Sequence, residues 1–388
     1  MATSSLPSFA YTAPTTVWFA PDGISRLGSY LKRLGVTRAL LVCDARIAAE
    51  GISDRVAEAS GGRVNEVWAH AEPDAPREAA LAGADEALRT NADGVVALGG
   101  GSAIDTGKAA ALLARHGGDP ARWDGANKVG APGLPLVAIP TTAGTGSEVS
   151  NIAVIKDGER SRKLVIIDRA VYPAVAILDP RLTVKLPARL TAATGVDALT
   201  HAVEGIVSQY KNPICEAVGL ACVRLVRAHL PRAVAEPADL YARGNMLLAS
   251  SMAGQLVSLT YGGVAHAVAH ALGLGWSVHH GTGNAIALAW SIRFNAADAA
   301  SAAAYARCAE AFGLPSASSD RAAAFALADG VERFVSDLGL PTRLSAVGLA
   351  QADLPRLATL AFADPSHGPN PVKVESAAAL EGALGALV

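Results

Sequence analysis

Cysteine is scarce and scattered. The chain of 388 residues holds four, Cys43, Cys215, Cys222 and Cys308, and none forms a CxxC pair. That gives no support to a thiolate zinc cluster or a disulfide framework, and buried reduced thiols are expected instead. An excess of one charge is lacking too. The net charge is -2, the pI is about 6.5, and no basic stripe stands out. Nucleic acid is therefore not an expected partner. No uninterrupted apolar run is long enough to span a bilayer. The positive mean hydropathy, +0.29, comes from alanine and valine spread along the chain. No basic segment followed by an apolar core opens the sequence, so the expectation is a protein without a secretory leader, off the membrane and cytoplasmic. Internal repeats and low-complexity linkers are missing as well.

What is present describes a well-buried globular chain. Hydrophobic residues make up 51% and charged residues 18%, and 388 residues exceed one ordinary core. Residues 39–43, 64–69, 94–98 and 136–139 read as short buried strands, followed by 163–167 and 174–178. Alanine-rich stretches at 76–90 and 103–115 suit helices. This alternation predicts a parallel sheet covered by helices on both faces. Beyond Pro187 the period turns helical, as at 197–209, 213–229 and 301–311. The expected organisation is an α/β domain over residues 1–187 and an all-α domain over residues 188–388.

Two loops in the first half have the chemistry of a nucleotide site. Gly99-Gly100-Gly101-Ser102 follows a strand and opens a helix, where flexible backbone and free N–H groups favour a pyrophosphate. A tight turn needing glycine would look the same, and the spacing is not GxGxxG. Pro140 to Ser147 (PTTAGTGS) follows another strand, with hydroxyls suited to phosphate, ribose or a helix cap. Two such loops in one sheet favour a nucleotide crevice. Asp44 ends the first strand. It suits either a helix N-cap or the ribose hydroxyls, and in the second case NAD(H) is preferred over NADP(H).

The helical half holds five of the nine histidines in three short stretches. Asp197 and His201 stand four apart and share a helix face. His266 and His270 repeat that spacing, and His279-His280-Gly281 follows. Each pair alone fits a plain helix pair or salt bridge. Together, Asp197, His201, His266 and His280 offer three imidazoles and a carboxylate. Such a set suits one divalent metal, Fe(II) or Zn(II), with open positions for substrate.

These segments resemble the iron-containing (group III) alcohol dehydrogenase family over nearly the whole chain. The matching stretches are GGGSAIDTGK at 99–108, PTTAGTGSEV at 140–149, GVDALTHAVEG at 195–205, and HAVAHALG with HHGTGNAIAL in 266–288. DPSHGPNPV at 364–372 matches less specifically. The resemblance implies a Rossmann-like N-terminal domain and a helical C-terminal domain, the dehydroquinate synthase-like fold, with the active site in the cleft between them. It implies Asp197, His201, His266 and His280 as metal ligands and His270 as a proton relay beside nicotinamide and substrate. Gly100, Gly101, Ser102, Asp105, Thr141, Thr142, Thr145 and Lys163 would contact the cofactor. The implied activity is NAD(P)-dependent: an oxidoreductase moving hydride between small or medium alcohols and their aldehydes, working as a homodimer.

Two departures stand out: HAVAH replaces the common HGMAH, and His279 stands where proline is usual. His279 competes with His280 or lines the pocket. His367 is either a pocket or a loop histidine, and Tyr261 and Trp276 are either pocket or core residues. Maleylacetate reductases share the fold but tend to lack the full ligand set. Glycerol dehydrogenase and dehydroquinate-synthase-like lyases are more distant. A non-catalytic metal- or nucleotide-binding regulator is the reading from another class.

Overall fold

The computed structural model describes residues 8–160 and 162–388. Its main sheet has six strands in the order β1-β9-β6-β4-β2-β3, all parallel. They are β1 (Thr16–Phe19), β2 (Ala39–Val42), β3 (Val64–Trp68), β4 (Gly94–Gly99), β6 (Leu136–Pro140) and β9 (Val175–Leu178). Central strands β2, β4 and β6 are buried at every position, which is why they read as unbroken apolar runs. A second sheet, β5 (Gly125–Ala126), β8 (Arg162–Ile167) and β7 (Ile152–Asp157), contains an antiparallel pair, β7 with β8. The all-parallel expectation missed that pair. It also missed β1, a largely exposed four-residue edge strand whose apolar run, Val17 to Phe19, is only three residues long.

Helices α1 (Leu27–Arg33), α2 (Ala45–Ala49), α3 (Ile52–Ala59), α4 (Arg77–Arg89) and α5 (Gly101–His116) connect and cover these strands. From Ala188 the described chain is helical: α6 (Ala188–Val207), α7 (Pro213–Ala235), α8 (Leu240–Thr260), α9 (Val264–Trp276) and α10 (His280–Asn295). Then come α11 (Ala299–Ala311), α12 (Asp320–Asp337), α13 (Leu354–Ala363) and α14 (Ala377–Leu384). Among the described residues no helix is long and apolar enough to cross a membrane.

The chain folds into two compact units that are not contiguous in sequence. One comprises residues 14–195 and 229–254, the other 196–228 and 255–388 with residues 8–13. In the α/β unit, Leu247 of α8 packs with Val149, Ala176 and Leu178. Gly146, at a φ of +60°, meets α8 backbone to backbone. A Cβ on it would stand 2.7 Å from the Ser250 carbonyl, and one on Gly254 would stand 2.6 Å from Gly146 Cα. In the helical unit, Val268 and Leu272 of α9 pack on Ile286 and Trp290 of α10 and on Leu357 of α13. That packing fixes the two helices that carry His266, His270 and His280.

Candidate functional site

In the α/β unit the nucleotide candidates gather at the carboxyl ends of three adjacent strands. Asp44 follows β2, the glycine loop follows β4, and the second loop follows β6. The chain reverses its direction of travel across the sheet between β2 and β4, where open parallel sheets bind ligands. Gly100 caps α5 without a side-chain hydrogen bond, leaving first-turn N–H groups free for an anion. A Cβ on Gly101 would lie 2.7 Å from Thr145 Cγ2, and one on Gly100 would lie 3.3 Å from Thr142 Cγ2. The bare backbone is therefore flanked by two threonines. Thr141 N–H donates to the Gly99 carbonyl at 2.9 Å and joins the two loops.

Asp44 accepts from Ile47 N–H at 2.9 Å through Oδ1 and caps α2. Among the described residues no donor reaches its Oδ2. Ser102 Oγ accepts from Asp74 N–H at 3.0 Å, and Lys163 Nζ lies 3.7 Å from Asp74 Oδ1. Asp105 is committed inside the protein: Ser147 Oγ donates to it at 2.5 Å and Val154 N–H at 3.0 Å. It ties α5 to the second loop. Buried Lys108, in the same motif, donates to the Ser150 and Ile152 carbonyls at 3.0 and 2.7 Å. Glu148 is buried with Oε1 unpartnered. Burial pushes its pKa up to about 7 and that of Lys108 down to about 8.

In the helical unit three imidazoles converge on one carboxylate oxygen. Asp197 Oδ1 lies 3.7 Å from His201 Nδ1, 3.6 Å from His266 Nε2 and 3.4 Å from His280 Nε2. Helix α6 carries the first two residues one turn apart, α9 brings His266, and α10 begins at His280. Asp197, His201 and His266 form a group whose ligand atoms all lie within 4.8 Å of one another. His280 stands outside that group and reaches Asp197. His279 is exposed just before α10.

Burial opposes charge on Asp197, but the surrounding imidazoles hold its carboxyl well below the usual range. Burial and neighbouring histidines push His201 down to about 3. Burial is also the main reason His280 falls to about 4. Both rings are therefore neutral near pH 7, with lone pairs available. Burial opposes charge on His266 as well, but Glu204 and Asp197 lift its pKa to about 10. His201 Nδ1 and His266 Nε2 are buried, find no hydrogen-bond partner and face Asp197 Oδ1. Buried polar atoms left this way are costly, and a cation among them removes the cost. The residues present fit a divalent metal.

His270 stacks on His280, with ring centroids 5.0 Å apart. Its Nδ1 pairs with Asp364 Oδ2 at 2.9 Å, and Asp364 is held below the usual carboxylate range against its burial by that imidazole. His367 turns away and bonds the Phe362 carbonyl at 2.8 Å. Tyr261 meets the Tyr210 ring edge-on, and Trp276 lies under the Arg356 guanidinium.

Three residues absent from the sequence-based candidates belong to this cluster. Asn284 Nδ2 donates to Asp197 Oδ1 at 2.7 Å, Glu204 pairs with His266 Nδ1, and Asp364 holds His270. Glu204 had a local signal, since it follows Asp197 by seven residues on one helix face. Asn284 had one as well, since it follows His280 by four residues on α10 and meets its Nε2 at 3.3 Å, but its link to Asp197 spans 87 residues, and Asp364 reaches His270 across 94.

Comparison with known proteins covers nearly the whole chain. The family model described as iron-containing alcohol dehydrogenase matches residues 14–180, and its Fe-containing C-terminal counterpart matches residues 191–381. An NAD-dependent methanol dehydrogenase of Bacillus methanolicus is 37% identical over 351 residues, 90% of this chain and 92% of that protein. A 1,3-propanediol dehydrogenase of Klebsiella pneumoniae is 36% identical over 372 residues, 94% of this chain and 95% of its own. The crystal structure of a 1,3-propanediol oxidoreductase superposes with a TM-score of 0.94 at 33% identity, covering 98% of this chain and 100% of that one.

Proposed function

The chain belongs to the iron-containing alcohol dehydrogenase family, and from that premise we propose that it interconverts small or medium alcohols and their aldehydes with NAD(H) and one divalent metal. The observation that carries the proposal is the convergence of three imidazole nitrogens on Asp197 Oδ1 at 3.4, 3.6 and 3.7 Å.

Asp197, His201, His266 and His280 would hold the metal. Fe(II) is the first choice, and the same donors accept Zn(II). When bound, the cation supplies Lewis acidity toward a substrate oxygen, and the dinucleotide supplies the hydride acceptor. The remaining work falls to the chain. The α5 N-terminus, Gly100 and Gly101 receive the pyrophosphate, with Thr141, Thr142 and Thr145 beside it. Ser102 and Lys163 border the same site through Asp74, and Asp105 fixes the second loop against α5. The unpaired Oδ2 of Asp44 suits ribose hydroxyls and repels a 2′-phosphate, which favours NAD(H) over NADP(H). Asp364 holds His270 through Nδ1, leaving Nε2 to carry the proton that the alcohol loses or the aldehyde gains. A cytoplasmic homodimer is the state proposed with this chemistry.

Metal quantification on anaerobically purified protein, with a screen of primary alcohols and aldehydes against NADH and NADPH, tests the reading. About one metal per chain is expected, with NADH the better reductant. Asp197→Asn is expected to lose both metal and turnover. A metal-free Asp197→Asn enzyme that still turns over at the wild-type rate would refute the assignment.

A further inference from the structure

The three histidines around Asp197 are not held alike. His201 Nδ1 and His280 Nδ1 are buried without a hydrogen-bond partner. His266 differs in having its outer nitrogen, Nδ1, hydrogen-bonded to a second carboxylate, that of Glu204, whereas His201 turns Nδ1 itself toward Asp197 Oδ1 at 3.7 Å. Glu204 is 2% exposed and lies on α6 three residues past His201. Its other oxygen accepts from Ala265 N–H at 2.7 Å, in the first turn of α9. Gly263 makes room for it, since a Cβ there would lie 2.6 Å from Glu204 Cδ. Each carboxylate oxygen thus has its own N–H donor. One donor opens α9, where the helix dipole favours negative charge. The other is the ring whose opposite nitrogen faces Asp197 Oδ1 at 3.6 Å.

We propose that Glu204 is the positioning residue of the metal centre: it fixes the His266 proton on Nδ1 and turns the Nε2 lone pair toward Asp197, and so sets the affinity for a divalent cation. This rests on the metal reading above. A histidine that coordinates through one nitrogen needs its proton on the other, and an acceptor at that other nitrogen locks both tautomer and ring angle.

Glutamine separates this role from a purely structural one. It keeps the size of glutamate but has one acceptor oxygen and one NH2 group. If the oxygen stays on Ala265 N–H, the NH2 faces Nδ1 and drives the ring proton onto Nε2, the coordinating nitrogen. If the amide turns over, α9 loses its cap. A residue that only capped α9 would change thermal stability and leave metal affinity alone.

The test uses the full chain with zinc as the probe. Chelator competition gives the zinc dissociation constant of wild type, Glu204→Gln and Glu204→Asp. Long-range nitrogen–proton spectra of histidine-labelled, zinc-loaded protein give the His266 tautomer. Glu204→Gln is expected to bind zinc about 10–100-fold more weakly, with Glu204→Asp recovering part of the loss. Wild type is expected to carry the His266 proton on Nδ1. Wild-type affinity in Glu204→Gln, or an Nε2 proton in zinc-loaded wild type, overturns the proposal. The tautomer is read on wild type, so a variant that fails to fold does not remove the test. Wild type that takes up no zinc or iron overturns the metal reading itself, an outcome distinct from failure of Glu204 alone.

Discussion

At the scale of single residues, Glu148 makes stability depend on pH. It is buried, one oxygen has no partner, and burial holds its pKa at about 7 against a reference value of 4.5. The folded chain therefore keeps a proton that the unfolded chain gives up at lower pH. Stability from this group is complete below the unfolded value and is lost as pH rises toward about 7. Lys108 has the opposite slope, but only above about pH 8, where its folded form starts to lose its proton before the unfolded one. Glu148→Gln removes the ionisable group and keeps the shape. Its thermal midpoint is expected to match wild type near pH 5 and to exceed it near pH 8, by on the order of 1–3 kcal/mol in stability. Melting curves at the two pH values check this, and a constant difference would contradict it. The same scale shows what the sequence could reveal. Asp197 and His201 share a helix turn, so their alliance is local and legible. Asp105, a cofactor contact by resemblance, also has its oxygens engaged by Ser147 and Val154, from 42 and 49 residues away. No local pattern records that.

At the scale of elements, α5 and its loop are the part most sensitive to a single methyl group. Gly101 is the first residue of α5, and a Cβ there meets Thr145 Cγ2 at 2.7 Å and Oγ1 at 2.9 Å. The threonine must turn, into the space assigned to the pyrophosphate. Gly101→Ala is expected to raise the NADH dissociation constant about tenfold or more, since about 1.4 kcal/mol of lost binding is a factor of ten. Metal content, held in the other unit, is expected to stay unchanged. Fluorescence titration with NADH and metal analysis measure the two effects. Elements were legible where burial is uniform. The apolar runs of β2, β4 and β6 reported central parallel strands directly. Strand β7 opens on an apolar run too, Ile152 to Ile155, but its positions alternate between partly exposed and buried, and it pairs antiparallel with its neighbour.

At the scale of the molecule, the change from α/β to helical pattern was plain in the sequence, but the composition of each compact unit was not. Periodicity labels elements and is silent on which core an amphipathic helix serves. Residues 229–254 are helical and sit in the α/β unit. There Leu247 joins the core of Val149, Ala176 and Leu178, and the Phe19 ring lies against Gly244. A fragment ending at residue 187 therefore lacks part of its own core. It is expected to show no cooperative thermal transition by circular dichroism, whereas residues 1–254 restore one. A cooperative melt from the shorter fragment would show that its sheet needs no help from α8.

The contact of Gly146 with Gly254 also bears on how this gene can change. Each backbone occupies the space where the other's first side-chain carbon would go. A side chain at either site requires the opposing main chain to withdraw, so glycine at one sustains the need for glycine at the other. Tolerance of change is expected elsewhere, at glycines such as Gly158 and Gly382, where an added methyl group meets nothing.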